Sequence, residues 1–122
     1  MVEIGESKKS YDLEVRTSKF GGEVILFCQK IPQDTITRPL ISQLIRSATS
    51  VGANYMEANA ASSKKDFKNK IHICKKEAQE SKYWLHMLSI ACPGCAKDAR
   101  LLWKETQELT LIFGKIISTL RG

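Results

Sequence analysis

The sequence predicts an all-α fold: an up-down-up-down antiparallel four-helix bundle that forms a single domain over residues 1–122. Proline, glycine and small polar residues divide the chain into four segments that each have the length of a helix. Within these segments, apolar residues recur at intervals of three and four, the period of about 3.5 residues that is typical of a bundle seam. The connections are short, and short connections place consecutive helices antiparallel.

The first predicted helix spans about residues 12–30. The pair Gly21-Gly22 interrupts it, and each glycine costs about 0.5–1 kcal/mol relative to alanine inside a helix. We therefore expect this helix to be bent or frayed at the pair, or packed closely against a neighbour there. Its apolar seam consists of Leu13, Phe20, Val24, Phe27 and Ile31.

The second predicted helix spans about residues 38–60. We expect Thr37 to cap its N-terminus, and Pro39 fits the first turn, where the missing N–H of proline costs nothing. Its apolar seam consists of Leu44, Ala48, Val51 and Tyr55.

A polar stripe runs beside that seam at helical spacing, from Gln43 to Glu57. A solvated face usually carries Lys and Glu in loose order, whereas this stripe places specific polar types among small residues, which let other helices approach closely. We expect a structural polar network that fixes helix register and protomer contacts, because buried polar groups must be satisfied. The alternative is a ligand or partner site. The network residues would be Arg46, Asn54, Glu57, Glu77 and Glu80.

The third predicted helix spans residues 64–91. Ser63 followed by Asp66 resembles a capping box with Asp in place of the usual Glu, and Pro93-Gly94 ends the helix. Its apolar seam consists of Phe67, Ile71, Cys74, Ala78, Ser81, Leu85 and Leu88.

Lysines make this third helix the candidate nucleic-acid-binding element. Four of them recur at spacings of four, seven and seven and so share one stripe, two lie on another flank, and Lys70 is nearby. Nucleic-acid binding needs cations on one face to neutralise phosphates; the alternative is an ordinary solvated face. No aromatic stacking platform is interleaved with these lysines, so we do not expect sequence-specific reading of bases. The stripe is Lys64, Lys68, Lys75 and Lys82, and the other flank is Lys65 and Lys76.

The fourth predicted helix spans residues 97–120, with the seam Ala99, Leu102, Thr106, Leu109, Phe113, Ile116 and Leu120. The third and fourth helices carry more apolar residues than one bundle core needs, and exposed apolar patches mark partner surfaces. We therefore expect self-association. The expected oligomer contacts are Trp84, Met87, Trp103 and Ile112.

Composition narrows the class of protein further. The net charge of +6 permits an acidic partner such as nucleic acid, although many soluble proteins are as basic. The chain has no apolar run of about 18 residues, so we expect no membrane contact. Its N-terminus lacks the features of a signal peptide. We expect a cytoplasmic protein whose four cysteines are reduced.

The sequence offers no catalytic or metal-binding constellation. A di-iron bundle needs Glu-x-x-His pairs, but Glu77–Glu80 and Glu105–Glu108 both end in Glu, and His72 and His86 do not follow a Glu at that spacing. The pair Cys92-Pro-Gly-Cys95 lacks the βαβ setting of a redox motif and the two further ligands of a zinc site. We interpret it as a helix-breaking turn, and we expect no enzyme, no cofactor and no metal.

Three stretches of the sequence resemble the bacterial four helix bundle protein family, which includes proteins encoded in intervening sequences of large-subunit ribosomal RNA genes. The chain is also similar to the accessory variability protein of diversity-generating retroelements. The stretches that carry the resemblance are residues 42–58, 63–71 and 74–85.

The resemblance covers about residues 11–120 and is most specific in the helix with Arg46, Asn54 and Glu57. It implies a bundle that assembles into a ring, most often a homopentamer. For the retroelement relatives it implies a basic surface that engages nucleic acid and a reverse transcriptase. We therefore expect a non-enzymatic ring-forming protein that binds RNA or DNA weakly without sequence specificity, or that scaffolds an RNA-associated partner. The alternative is a structural protein-interaction adaptor whose charge is incidental.

Overall fold

The computed structural model describes the backbone of residues 4–121 and the side chains of residues 13–121. It contains four α-helices, and no strand occurs within residues 4–121. The predicted all-α four-helix bundle is therefore confirmed. The helices are α1 (Ile4–Gln29), α2 (Thr37–Asn59), α3 (Lys64–Ala91) and α4 (Ala96–Arg121), with a 3₁₀ turn at Pro93–Cys95 between α3 and α4.

The start of α1 differs from the prediction, because the helix begins at Ile4 and not near residue 12. The apolar period on which the prediction rested begins only at Leu13, so it gives no signal for the turns before that residue. The other three helices begin and end within one residue of the predicted bounds. Residues 1–3 and residue 122 of the predicted domain lie outside the described residues.

Asp34, and not the predicted Thr37, caps the start of α2. One carboxylate oxygen of Asp34 accepts hydrogen bonds from the backbone N–H groups of Ile36 and Thr37, both at 2.8 Å. These backbone bonds, that from Thr37 first, lower the pKa of the Asp34 carboxyl. The Thr37 hydroxyl accepts the Asp34 N–H at 3.0 Å and donates to the Pro32 carbonyl at 2.8 Å. The predicted cap is therefore wrong, and the two residues form a reciprocal arrangement of the capping-box type.

The ends of α3 follow the prediction. The Ser63 hydroxyl accepts the backbone N–H of Asp66 at 3.0 Å, which satisfies one of the free donors in the first turn. The last helical bond runs from the Cys92 N–H to the Leu88 carbonyl at 2.8 Å, and Pro93 follows. Proline cannot continue the helical hydrogen bonding, so the chain turns there into α4.

The core lies along the predicted seams. All four seam residues of α2 are buried, as are those of α3 except Phe67, which is half-buried. On α4 the last turns differ from the prediction, because Ile117 is buried and Ile116 is half-buried. A straight helix has about 3.6 residues per turn, so a seam with a strict period of 3.5 drifts around the helix. Ile117 lies eighteen residues after Ala99, five whole turns at that pitch, and therefore faces the same core.

Neighbouring helices are antiparallel and pack closely where small residues meet. The hydroxyls of Ser47 on α2 and Ser81 on α3 are 2.8 Å apart, and the Cys74 thiol donates to the Val51 carbonyl at 3.5 Å. The residue numbers thus rise on α2 as they fall on α3. The up-down-up-down order follows from such contacts between consecutive helices. No helix within the described residues is both long and apolar enough to cross a bilayer.

The pair Gly21-Gly22 does not interrupt α1, since the helix continues through both residues. Gly21 is buried against α2, where a Cβ atom would lie 3.7 Å from Thr49. A Cβ at Gly52 of α2 would lie 3.4 Å from the Thr17 carbonyl oxygen. Of the three expected outcomes, close packing is the one observed at Gly21. Gly22 faces open space.

Among the described residues, the contact between α1 and α4 is the sparsest of the four between neighbouring helices. α1 packs mainly on α2 and shares far fewer contacts with α4. An open groove of about 540 Å³ remains between α1 and α4, with Val15, Lys19 and Leu101 among its lining residues.

Candidate nucleic-acid interface

Two of the predicted lysines project from α3 onto α4. The Nζ atom of Lys82 lies 4.9 Å from the centroid of the Trp103 ring, and it donates a hydrogen bond to Oε1 of Gln107. Lys75, two turns earlier, lies over Gly114, where a Cβ atom would come within 3.9 Å of its Cε and Nζ atoms. Both lysines therefore lie in the groove between α3 and α4.

The other two lysines of the predicted stripe extend this line toward the start of α3. Lys68 precedes Lys75 by seven residues, close to two helical turns, and is half-buried, whereas Lys64 is exposed in the first turn. We call this surface the basic groove. It consists of Lys64, Lys68, Lys75 and Lys82 on α3 and of Trp103, Gln107 and Gly114 on α4.

The remaining lysines lie elsewhere on α3. Lys65 and Lys76, the predicted other flank, are exposed. Lys70 lies on the α2 side, where its Nζ donates to Oε1 of Glu57 at 2.5 Å. The structure thus keeps the four-residue stripe together and separates the other lysines from it.

The acidic side chains of α3 turn away from the basic groove, toward α2. Nη1 of Arg46 donates to Oε1 of Glu77 at 3.2 Å, and Nη2 donates to Oε2 of Glu80. Nε of Arg46 donates to Oε1 of Gln43 at 3.3 Å, and the Trp84 indole N–H donates to Oε2 of Glu80 at the same distance. Glu77 is the most deeply placed carboxylate of the group, with 12% of its side chain exposed.

The arginine decides the charge state of this cluster. Burial by itself would raise the pKa of Glu80, but hydrogen bonds from Arg46 and Trp84 and the charge of Arg46 lower it on balance. The carboxylate therefore stays ionised and paired. Such a paired group is suited to fixing two helices relative to each other.

The glutamates in the middle of α4 are also paired with an arginine, which comes from α1 on the opposite edge of the bundle. Arg16 makes a bidentate contact with Glu105, with Nε to Oε2 at 2.7 Å and Nη2 to Oε1 at 2.8 Å. The same Nη2 donates to Oε1 of Glu108 at 2.6 Å. Arg16 was not among the predicted site residues. The available signal was the repeated spacing, because Glu105-Thr-Gln-Glu108 copies Glu77-Ala-Gln-Glu80.

These two clusters separate charge across the bundle. The remaining acidic residues of α3 and α4 are Asp66 and Asp98, one in the first turn of each helix. Every other carboxylate of the two helices is bound by an arginine of α1 or α2. The lysines of the basic groove are therefore left without acidic partners among the described contacts.

Two members of the predicted polar network lie outside the Arg46 cluster. The side-chain amide of Asn54 donates to the Ser50 carbonyl of its own helix at 2.9 Å. Glu57 pairs with Lys70 instead, and its side chain is 59% exposed. The structure therefore brings together Arg46, Glu77 and Glu80 and places the other two apart.

The four predicted oligomer contacts do not form one patch. Trp84 lies on the α2 side with Glu80, whereas Trp103 lies in the basic groove under Lys82. Met87 and Ile112 are half-buried. Among the large apolar residues of α3 and α4, the most exposed are Tyr83, Ile90, Leu101 and Leu111, each with an exposed fraction between 55% and 63%. None of these four was a predicted oligomer contact.

The cysteines fall into two classes. Cys92 and Cys95 are joined in a disulfide across the 3₁₀ turn, so the expectation of four reduced cysteines does not hold for this pair. Two cysteines so close in sequence can meet because the turn brings the Cys95 N–H to the Cys92 carbonyl at 2.8 Å. Burial raises the pKa of Cys28 to about 11 and that of Cys74 to about 12. These two thiols stay protonated at neutral pH, and protonated thiols are poor nucleophiles and poor metal ligands.

Within the described side chains, no three His, Cys, Asp or Glu residues gather as a metal site would require. The carboxylates that sequence analysis tested as iron ligands, Glu77, Glu80, Glu105 and Glu108, are the ones held by Arg46 and Arg16. This part of the molecule therefore contains a groove lined by lysines beside Trp103. The four glutamates of α3 and α4 are paired with arginines on the far edges of these two helices.

Comparison with known proteins identifies relatives of this arrangement. A family model described as 23S rRNA-intervening sequence protein matches residues 10–115. A solved structure from Bacteroides thetaiotaomicron, a protein with unknown function from the S23 ribosomal protein family, is similar with a TM-score of 0.77 and 26% sequence identity. The match covers 90% of this chain and 98% of that one. None of the curated proteins matches the sequence.

Proposed function

Because this chain belongs to the family of 23S rRNA-intervening sequence proteins, as the match over residues 10–115 shows, we propose that it is a nucleic-acid-binding protein and not an enzyme. It binds RNA weakly, through phosphates and without sequence specificity, and it acts as an assembly of several copies. The resemblance recognised in the sequence is confirmed by this family match and by the similar structure.

The observation that carries the proposal is the basic groove with no paired carboxylate. A polyanion gains from a cation only if that cation is not already neutralised, and each phosphate neutralised also releases a condensed counterion. The acids of α3 and α4 that could neutralise the groove are bound by Arg16 and Arg46 instead. Lys68, Lys75 and Lys82 are thus available to phosphates along one rigid helix.

Self-association strengthens such a surface. One protomer offers few phosphate contacts, so its affinity alone is weak, but an assembly repeats the groove and raises the effective concentration of cations along one strand. The exposed apolar side chains of α3 and α4, Tyr83, Ile90, Leu101 and Leu111, support self-association, because large apolar side chains gain free energy when a partner surface removes them from water. A ring of five, as the resemblance implies, is the assembly we propose.

The distribution of carboxylates and thiols supports binding over catalysis. A general base needs a carboxylate with a free lone pair near a substrate, whereas Glu77, Glu80, Glu105 and Glu108 are engaged by arginines. The two free thiols are buried and protonated.

Fluorescence anisotropy with a labelled mixed-sequence RNA tests the proposal. The variant Lys68→Glu/Lys75→Glu reverses two charges in the basic groove. Its matched control, Lys19→Glu/Lys30→Glu, reverses two exposed charges on α1 and just after it, and therefore has the same net charge. Binding of the wild type should fall steeply as salt rises, and the groove variant should bind at least about tenfold more weakly than the control.

The dependence on salt gives a second readout. Each lost phosphate contact lowers the slope of log K against log salt by about 0.7 for a single strand, so the groove variant should lose about 1.4 for each protomer on the RNA. Equal weakening in both variants would show that only net charge matters. Unchanged binding in the groove variant, with its fold intact by circular dichroism, would refute the proposal.

The second candidate function is a protein-interaction adaptor, and the exposed apolar residues of α3 and α4 are the observation that favours it. It predicts little RNA binding near physiological salt and no response to the groove variant. The same anisotropy series therefore separates the two functions.

A further inference from the structure

We propose that Trp103, with Lys82, Arg100 and His86, forms a subsite for one unpaired nucleotide of a single-stranded nucleic acid. This inference rests on the proposed function and adds to it a preference for single strands over duplexes. The sequence did not indicate it, because spacing along α3 does not show which residue of another helix lies beside its lysines. The aromatic residue comes from α4.

The indole of Trp103 is the centre of the subsite. It is 38% exposed, and one cation, Lys82 Nζ, already stands 4.9 Å from its ring centroid. Tryptophan is the best cation–π partner, and contacts within about 6 Å of the ring are attractive. The hydrogen bond from Lys82 to Gln107 holds the ammonium at this place. The ring and the charge are therefore positioned before any ligand arrives.

A small open pocket of about 250 Å³ borders the ring. Ligand pockets for larger molecules span about 300–1,000 Å³, so this one suits a base-sized group. Its polar lining comes from both helices, with His86 and Ser89 from α3 and Arg100 from α4, and none of the lining residues is acidic. The remaining lining residues are Leu85, Ala96, Ala99 and Trp103 itself.

These residues match the chemistry of a nucleotide and not of phosphate alone. A base presents a flat π face, which stacks on an aromatic ring or on a guanidinium plane, and its phosphate seeks a cation. Trp103 and Arg100 supply the flat partners, and Lys82 supplies the cation. Stacking accepts any base, which agrees with binding that lacks sequence specificity.

The position of the subsite relates it to the rest of the basic groove. Lys68, Lys75 and Lys82 run along α3 at seven-residue spacing, so they span about 21 Å at about 1.5 Å per residue. The subsite lies at the Lys82 end of this line. A strand whose phosphates follow the lysines therefore reaches Trp103 with a base free to stack. In a duplex the bases are already stacked and paired, so Trp103 gains nothing from one.

The test compares a labelled single strand with a blunt-ended duplex of two annealed strands of the same composition, using anisotropy and the full chain. Trp103→Leu should weaken binding of the single strand by about tenfold and change duplex binding by less than about twofold. Trp103→Phe, which keeps a smaller ring, should restore part of the lost affinity. The matched control is Trp84→Leu, which removes the other tryptophan, on the α2 side, and should leave both affinities unchanged.

A direct readout uses the same residues. In Trp84→Phe the only remaining tryptophan is Trp103, so its fluorescence should be quenched on adding the single strand and not on adding the duplex. A mononucleotide should compete only at far higher concentration than the strand; competition at equal concentration would overturn the assignment to a strand.

Two further outcomes would overturn the proposal. Equal losses for single strand and duplex in Trp103→Leu, or no loss in either, would show that the ring takes no part in stacking. A changed molar mass of Trp103→Leu by light scattering would place the ring between copies of the chain. If the wild type binds neither nucleic acid, the proposed function itself fails. If the wild type binds both and the Trp103 variants bind as tightly as the wild type, only the subsite fails.

Discussion

At the scale of single residues, two arginines hold the bundle together on opposite edges. Arg46 of α2 binds Glu77 and Glu80, and Arg16 of α1 binds Glu105 and Glu108. Each arginine meets a pair of glutamates three residues apart, so the N–H donors of its guanidinium find carboxylate acceptors on one helix face. The cost of losing such an arginine depends on how deeply its carboxylates lie.

Arg46→Ala should therefore destabilise the protein by about 1–2 kcal/mol. This lies between the cost of about 3–5 for a fully buried pair and about 0–1 for an exposed one, since Glu77 is 12% exposed and Arg46 itself 46%. Glu57→Ala should cost less than about 0.5 kcal/mol, because that side chain is 59% exposed. Urea unfolding of both variants measures the difference, and equal effects would contradict the separation of Glu57 from the cluster.

Asp34 gives the start of α2 a dependence on pH. Its pKa is lowered in the folded protein, so its contribution is complete above the ordinary aspartate pKa of about 3.9 and is lost as the pH falls through the lower folded value. Asp34→Asn keeps a capping side chain but cannot titrate. Melting temperatures of wild type and Asp34→Asn should differ most near neutral pH and converge in acid, with Glu80 affecting both proteins alike. A difference that stays constant down to pH 2 would argue against the cap.

At the scale of elements, α1 carries a glycine that its packing does not need. Gly22 lies inside the helix, and a Cβ atom there would meet nothing within 4 Å. Gly22→Ala should stabilise the protein by about 0.4–1 kcal/mol, because alanine restricts the unfolded chain and favours the helix.

The contrasting variant is Gly52→Val on α2. A Cβ there would already lie 3.4 Å from the Thr17 carbonyl oxygen, and the added methyl groups have no room without moving α1. It should destabilise the protein. Thermal unfolding of both variants measures this, and a loss of stability in Gly22→Ala would show that α1 needs flexibility at that point.

The elements themselves were largely predictable, because their signals are local. The seam of α2 and the cap at Ser63 depend only on residues near them in sequence. The predicted cap at Thr37 was wrong because Asp34, from outside the helix, accepts the N–H groups of Ile36 and of Thr37 itself, and the Thr37 hydroxyl donates to the Pro32 carbonyl. The buried position of Ile117 could not be read from a period of about 3.5, since the helix turns at about 3.6 residues.

The candidate site was predictable only in part, because its second half comes from another helix. The lysine stripe follows from spacing along α3, but its meeting with Trp103 requires the antiparallel register of α3 and α4. The pairing of Arg16 with Glu105 likewise joins residues far apart in sequence. Periodicity shows which face of a helix is apolar; it does not show which residue of a neighbour lies opposite.

At the scale of the whole molecule, the exposed apolar residues predict an assembly. We expect a stable oligomer whose contacts bury Tyr83, Ile90, Leu101 and Leu111. The number of copies we expect is five, arranged in a ring, as the family resemblance implies. Light scattering behind size exclusion, at tens of micromolar protein as suits modest interfaces, measures the molar mass. Leu101→Glu/Leu111→Glu should lower it, and the control Lys97→Glu/Lys104→Glu, at exposed polar positions of the same helix, should not. A strictly monomeric wild type would refute the assembly.

The sparse contact between α1 and α4 has a consequence for how the molecule opens. Among the described residues, α3 packs extensively on both α2 and α4, whereas α1 packs mainly on α2 and contacts α4 chiefly through Arg16, beside an open groove. Proteins open in cooperative units, and the unit with the fewest buried contacts opens at the lowest free energy. Backbone amides of α1 should therefore exchange with deuterated solvent before those of α3, in a sub-global opening that leaves a three-helix core. In that transient state Phe20 and Val24 leave the core of the bundle. We therefore expect proteases to cleave the chain first in α1 and not in the basic groove. We expect α1 also to be the helix that two copies of the chain can exchange.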